Sequence, residues 1–285
     1  MNHCWIAAAL AGLLILWPDS PAKAETFPRW IYGQQSGEGE EGESEEIETD
    51  RDSFTPAVST TPLGRVMVES AWSYIDNRAV PDTNSLPELV TRYGVTDWLE
   101  MRLGWNWEAG GASNAISGSV GDPEEEMGPE IEYESQLFYG GKALLTSQRG
   151  WTPQSSVIVQ AGTPTSGKET ATQLVTTYVF GWETPNRWKW DTAMRYGFDA
   201  AEGDHFNIWA PSTVLKAPVG ERWNVHGEYF SIISQGRETD TTQHYFSPGV
   251  HYLVTPDLEV GVRLGWGLNH DAANFFSNVG FGWQY

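Results

Sequence analysis

Between residues 65 and 285 apolar and polar residues alternate with a period of two, in one stretch after another. Leu258, Val260, Val262, Leu264, Trp266 and Leu268 share one parity, while Glu259, Gly261, Arg263, Gly265 and Gly267 share the other. Leu99, Met101, Leu103, Trp105 and Trp107 oppose Glu100, Arg102, Gly104 and Asn106 in the same way. Trp188, Trp190, Met194, Tyr196 and Phe198 oppose Lys189, Asp191, Arg195 and Gly197. That period belongs to strands whose two faces meet different surroundings. Twelve strands are predicted: 65–75, 87–94, 98–107, 133–145, 153–163, 170–182, 187–198, 204–217, 222–235, 242–254, 258–268 and 275–285. The strand 133–145 has mixed parity. Connections around 95–97, 183–186, 217–221 and 255–257 read as tight turns, with Pro185, Pro218 and Pro256 placed where a preset φ helps. Those at 76–86, 108–132 and 236–241 read as looser loops.

In a soluble sandwich the apolar face of each strand would point to a core. Here Trp and Tyr gather toward strand ends, and the polar faces mix Gly with charges of both signs, which suits the inverted arrangement of a membrane barrel. The chain closes on Val279, Phe281, Trp283 and Tyr285, apolar at every second position with a terminal aromatic residue. That ending is similar to the C-terminal signal by which barrel assembly machinery recognises outer-membrane barrels. The fold class expected is therefore all-β: a transmembrane antiparallel β-barrel of about twelve strands in an outer membrane, an even number that leaves both ends on the periplasmic side.

Two segments precede the predicted barrel. Residues 1–24 read as a signal peptide, with an apolar run from Ile6 to Leu16 and the small-x-small sequence Ala22-Lys23-Ala24 at the cleavage site. The run is too short for the roughly 20 residues of a spanning helix. Cleavage would remove Cys4, the one cysteine, leaving no thiol for a disulfide, a zinc site or a nucleophile. Residues 25–64 read as an acidic disordered leader. From residue 38 to 52 there are nine acids and one base, Arg51, with few apolar residues to offset chain entropy. The alternative for this leader is a plug in the lumen or a cation-binding arm.

The formal net charge of -21 excludes nucleic acid as a partner, because phosphate binding needs clustered basic residues. Most of the acidity sits in the leader and in residues 108–134, which hold eight acids and no base. Asp122, Glu124, Glu125 and Glu126 in that loop are weak candidates for holding a hard cation; without an EF-hand spacing, a solvated loop is the expectation. On parity the lumen should receive Arg65, Glu69, Glu88, Arg92, Glu100, Arg102, Lys189, Asp191, Arg195, Arg222, Glu228, Glu259 and Arg263. Such charges must be paired or hydrated, either as a network that stiffens the barrel or as a polar filter for solutes. His205, His226, His244, His251 and His270 show no spacing that marks a nucleophile site, and His226 and His251 fall on lumen parity. No enzyme and no cofactor is expected.

Three stretches carry a family resemblance: Tyr-Gly-Val-Thr-Asp-Trp-Leu-Glu at 93–100, Ser-Pro-Gly-Val-His-Tyr-Leu-Val-Thr-Pro-Asp-Leu-Glu at 247–259, and Gly-Phe-Gly-Trp at 280–283. From about residue 61 onward the chain resembles the outer-membrane transporters grouped as the putative MetA-pathway of phenol degradation family. The resemblance implies a barrel that passes small, often hydrophobic or aromatic molecules across the outer membrane. Its motifs are hairpin signatures and assign no site residue, and the acidic leader and loop depart from what the family leads one to expect. A general diffusion porin for hydrophilic solutes and a structural or surface-interaction barrel are the alternatives.

Overall fold

A computed structural model of the chain describes residues 47–117, 130–168, 170–201, 204–236 and 240–285. The predicted signal peptide, residues 25–46, and Asp122, Glu124, Glu125 and Glu126 lie outside them. Twelve antiparallel strands follow one another: β1 (Val66–Asp76), β2 (Thr83–Thr96), β3 (Leu99–Gly110), β4 (Glu132–Thr146), β5 (Gln154–Ser166), β6 (Gln173–Glu183), β7 (Lys189–Ala201), β8 (Asp204–Val219), β9 (Trp223–Gln235), β10 (Thr241–Thr255), β11 (Leu258–Gly267) and β12 (Phe275–Gln284). Each pairs with its neighbours in sequence, and β1 pairs with β12 to close the barrel. Closure satisfies the backbone polar groups that an open sheet edge would leave bare in lipid.

The alternation points outward as the inverted reading requires. Val260, Val262, Leu264 and Trp266 of β11 are exposed, whereas Glu259 and Arg263 between them are buried. The closing residues Val279, Phe281, Trp283 and Tyr285 also face outward. Strands of this length, tilted, cross a bilayer, and the exposed apolar face is the lipid-facing surface of an outer-membrane barrel. The backbone amides of Val66 and Tyr285 exchange hydrogen bonds, so β1 begins where β12 ends. The short connections, such as 97–98, 220–222 and 256–257, share that rim, which by the usual asymmetry is the periplasmic one. In the 220–222 turn Gly220 adopts φ +70°, a left-handed conformation that suits glycine.

Two expectations are corrected here. Residues 47–64 are not a disordered leader: they enter the barrel and fill much of its lumen, with Phe54, Thr55, Ala57 and Thr61 almost wholly buried. The acids of this segment repel one another only while it is considered alone. Inside the barrel each meets a cation supplied by a strand. The start of the β3–β4 connection is not solvated either, because Asn114, Ala115 and Ile116 fold inward and are buried.

Candidate functional site

The lumen segment rises from the periplasmic rim and returns to it. At the rim the Ile47 amide donates to the Pro256 carbonyl (3.3 Å), and Ile47 packs against Met67 and Leu253. Higher up, the backbone is held by three wall glutamates. Glu69 accepts from the Asp50 and Arg51 amides (2.9 and 3.0 Å), Glu228 from the Phe54 and Thr55 amides (2.9 and 2.7 Å), and Glu100 from the Thr61 amide (2.6 Å). Backbone donors without a partner would be costly in this setting, and a carboxylate acceptor makes the stronger kind of hydrogen bond.

The acids of the segment answer the bases of the wall. Asp50 lies 2.6 Å from Arg102, 3.2 Å from Lys142 and 3.6 Å from Arg92. Asp52 meets Lys216 at 2.7 Å, Glu48 meets Lys189 at 3.1 Å, and Arg51 reaches Glu88 at 2.7 Å. Arg92 is the hub: it contacts Glu69 at 2.6 Å and Glu100 at 3.5 Å, and donates to the Glu48 carbonyl at 2.7 Å. Arg263 is 3.4 Å from Glu228, and Thr49 donates to Glu259 at 3.0 Å. Asp191 is also buried on the inner face.

Toward the opposite rim the lumen turns apolar. Phe54 stacks on Phe230 with centroids 4.2 Å apart, and Phe230 packs in turn against Tyr245 and Phe276. Ile75, Ala115 and Ile116 join this cluster. Burying Phe54 contributes roughly 2–3 kcal/mol to seating the segment. The Arg195 guanidinium covers the other side of the Phe54 ring, 4.3 Å from its centroid, and donates to the Phe54 carbonyl at 3.2 Å.

The structure thus places Glu69, Arg92, Glu100, Arg102, Lys189, Asp191, Arg195, Glu228, Glu259 and Arg263 on the inner face, as parity suggests. It removes two others. Arg222 is exposed in the β8–β9 turn, and Arg65 is half exposed at the rim, 3.6 Å from Asp257. Both stand just beyond a strand end, where parity no longer directs a side chain. Lys142 and Lys216, absent from the expected set, are also buried on the inner face, Lys142 on the parity of Phe138 and Gly140 and Lys216 on that of Ser212 and Val214. His226 and His251 do lie in the lumen, with Nδ1 of one 2.9 Å from Nε2 of the other. On the outer face Ser231 and Tyr229 both hydrogen-bond Nδ1 of His244, at 2.7 and 2.9 Å. Among the described residues no group of acids and histidines has the arrangement of a metal site.

Among the described residues, spaces open beside the lumen segment. A small space, with room for about one water molecule, lies beside Thr49, Asp52, His251, Glu259 and Asn278. A larger chamber, open to solvent, lies between the segment and the β2–β7 wall, lined by Asp50, Arg51, Ser53, Phe54, Arg102, Asn106, Phe138, Ile158, Gln160, Thr177 and Arg195 among others. Gly104 and Gly140 contribute bare backbone to this wall, and a Cβ at either would strike a carbonyl of the neighbouring strand.

The docked carboxyls have a pH signature. Burial alone would raise Glu48, yet Lys189, Lys216 and the Ser59 hydrogen bond outweigh it and bring it down to about 2. Burial likewise opposes Asp52, but Lys216, with His251 and His226, lowers it to about 2, and Arg92, Lys142 and Arg102 hold Asp50 well below the usual carboxylate range. A carboxyl whose docked pKa lies below its free value favours docking above the free value, and loses that contribution as pH falls through the docked one. These three carboxyls should therefore contribute fully to seating the segment from neutrality to about pH 5 and lose that contribution between about pH 5 and 2. Conductance of single barrels in a planar bilayer, stepped through this range, is expected to rise only in the acid window; a rise complete by pH 5 would contradict the assignment.

Solved structures share the architecture. An outer-membrane channel from Pseudomonas putida superposes with a TM-score of 0.55 at 11% identity, covering 80% of this chain and 98% of that one. The translocator domain of the autotransporter NalP from Neisseria meningitidis gives 0.51 at 11% identity, covering 79% and 90%. Identities this low speak for the barrel fold. No curated protein matches the sequence. The family described as "Putative MetA-pathway of phenol degradation" matches residues 49–285, a span that includes all but the first two residues of the lumen segment as well as all twelve strands, and the chain belongs to that family.

Proposed function

We propose that this barrel is a passive outer-membrane channel for small, hydrophobic or aromatic molecules. The observation that carries the reading is the open chamber beside the lumen segment, with Phe54, Phe138 and Ile158 among its lining residues. Its apolar side chains offer a solute what a plain water-filled bore does not. Family membership and the barrel fold support passage as the task. The filled lumen weighs against a general diffusion porin, whose bore must hold a continuous column of water. The outward Val279, Phe281, Trp283 and Tyr285 support recognition of β12 by the barrel assembly machinery.

Purified protein in planar bilayers and in liposomes tests the reading. The expected result is low ionic conductance together with uptake of a small aromatic solute above the leak of protein-free liposomes. Large, stable conductance of the intact protein would favour the porin. Neither conductance nor uptake would remove transport as the function.

A further inference from the structure

We propose that the chamber selects small monocarboxylates with an apolar or aromatic body, and that Arg195 is the residue that recognises the carboxylate. The proposal rests on the channel reading above and narrows its substrate class. Three guanidinium groups line the chamber against one carboxylate. Two of the three are already committed, Arg102 to Asp50 and Arg51 to Glu88. Arg195 is not. Among the described residues no carboxylate lies within ion-pair distance of it, and its protein contacts are the carbonyl and ring of Phe54.

A guanidinium presents five donors in a planar fork that matches a carboxylate. The Phe54 carbonyl occupies one nitrogen and the ring beneath fixes the plane, so the group is held in place with donors to spare. Arg195 is partly exposed to the chamber and has no carboxylate in contact, so an anionic solute would supply a direct, charge-assisted partner while it passes. Thr177, paired with Arg195 across β6 and β7, and Gln160 on β5 make no side-chain hydrogen bond among the described residues. Both can address a carboxylate oxygen or a ring substituent. Phe138 and Ile158 supply the apolar flank for the body of the solute. A cation of the same shape meets the uncommitted Arg195 guanidinium and is disfavoured.

The test compares entry of two isosteric ions, benzoate and benzylammonium, into liposomes carrying the full-length mature protein. A site lined by one sign of charge raises the local concentration of the opposite ion by about 10- to 1,000-fold, so benzoate should enter at least about tenfold faster. Arg195→Gln should cut that preference about tenfold, and Arg195→Lys, which keeps the charge, should restore part of it. Equal entry of the two ions in the parent protein, or a preference unchanged in Arg195→Gln, would overturn the proposal and leave the channel standing. Exclusion of both ions would overturn the channel reading along with it. The comparison of isosteres in the parent protein decides the matter even if a variant fails to reach its heat-modifiable, folded form.

Discussion

Deleting residues 49–61 is expected to raise single-barrel conductance by about tenfold or more, turning a nearly closed barrel into an open one. Twelve strands about 4.8 Å apart and tilted by about 40° enclose a backbone cylinder of about 12 Å radius, wider than side chains of the wall can fill. The lumen segment supplies the missing volume. Without it Glu69, Glu228 and Glu100 lose the backbone amides they accept from, and Lys216 loses Asp52. Those charges would take up water, because an unpaired charge is sheltered only if it is hydrated. The strand ladder from β1 to β12 does not depend on the segment, so the variant should still migrate as a folded barrel in mild detergent. Conductance equal to that of the intact protein, in a barrel shown to be folded, would mean that residues 47–64 are not what closes the lumen.

The largest single-residue effect should come from Arg92→Met. Arg92 is 1% exposed and stands among Glu69, Glu100 and Asp50, while also holding the Glu48 carbonyl. Removing one partner of a buried ion pair costs about 3–5 kcal/mol, because the other charge is left without compensation. Here several carboxylates lose a shared cation, with Arg102 and Lys142 able to answer only Asp50 and Glu100 in part. The variant should unfold at markedly lower denaturant concentration, and its lumen segment should become open to protease before the barrel does. Arg65→Met is the control. Its ion pair with Asp257 is half exposed at the rim, and exposed pairs are worth about 0–1 kcal/mol. Similar shifts for the two variants would show that the lumen network has no special weight.

Much of this could be read from the chain. The twelve strands lie where alternation puts them, and β4, the one with mixed parity, pairs with β3 over residues 132–143 and with β5 through two shifts of register. Its parity is blurred because Phe138 faces inward, toward the lumen segment, where a polar residue would be expected of a water-filled bore. The same period identified most lumen charges. It misplaced Arg65 and Arg222 at strand ends, where the pleat stops and the side chain turns to solvent. The inward turn of residues 114–116 carries no periodic signal, since it depends on Asn114 finding Glu88 and on the Ile116 carbonyl finding Arg263.

By itself the sequence determined the barrel: a period of two is a local property of each strand, and an apolar outer face with a polar inner face has one closed solution in lipid. It could not determine what fills that barrel. From residue 47 to 64 no periodic signal marks a packed state, and the acids Glu48, Asp50 and Asp52 oppose one as long as the segment is considered alone. The segment is ordered because Arg92, Arg102, Lys142, Lys189 and Lys216, carried by strands β2, β3, β4, β7 and β8, converge on Glu48, Asp50 and Asp52 across a space that exists only once the sheet has closed. Charge that repels along the chain attracts across the lumen, and only the tertiary structure brings the two sets together.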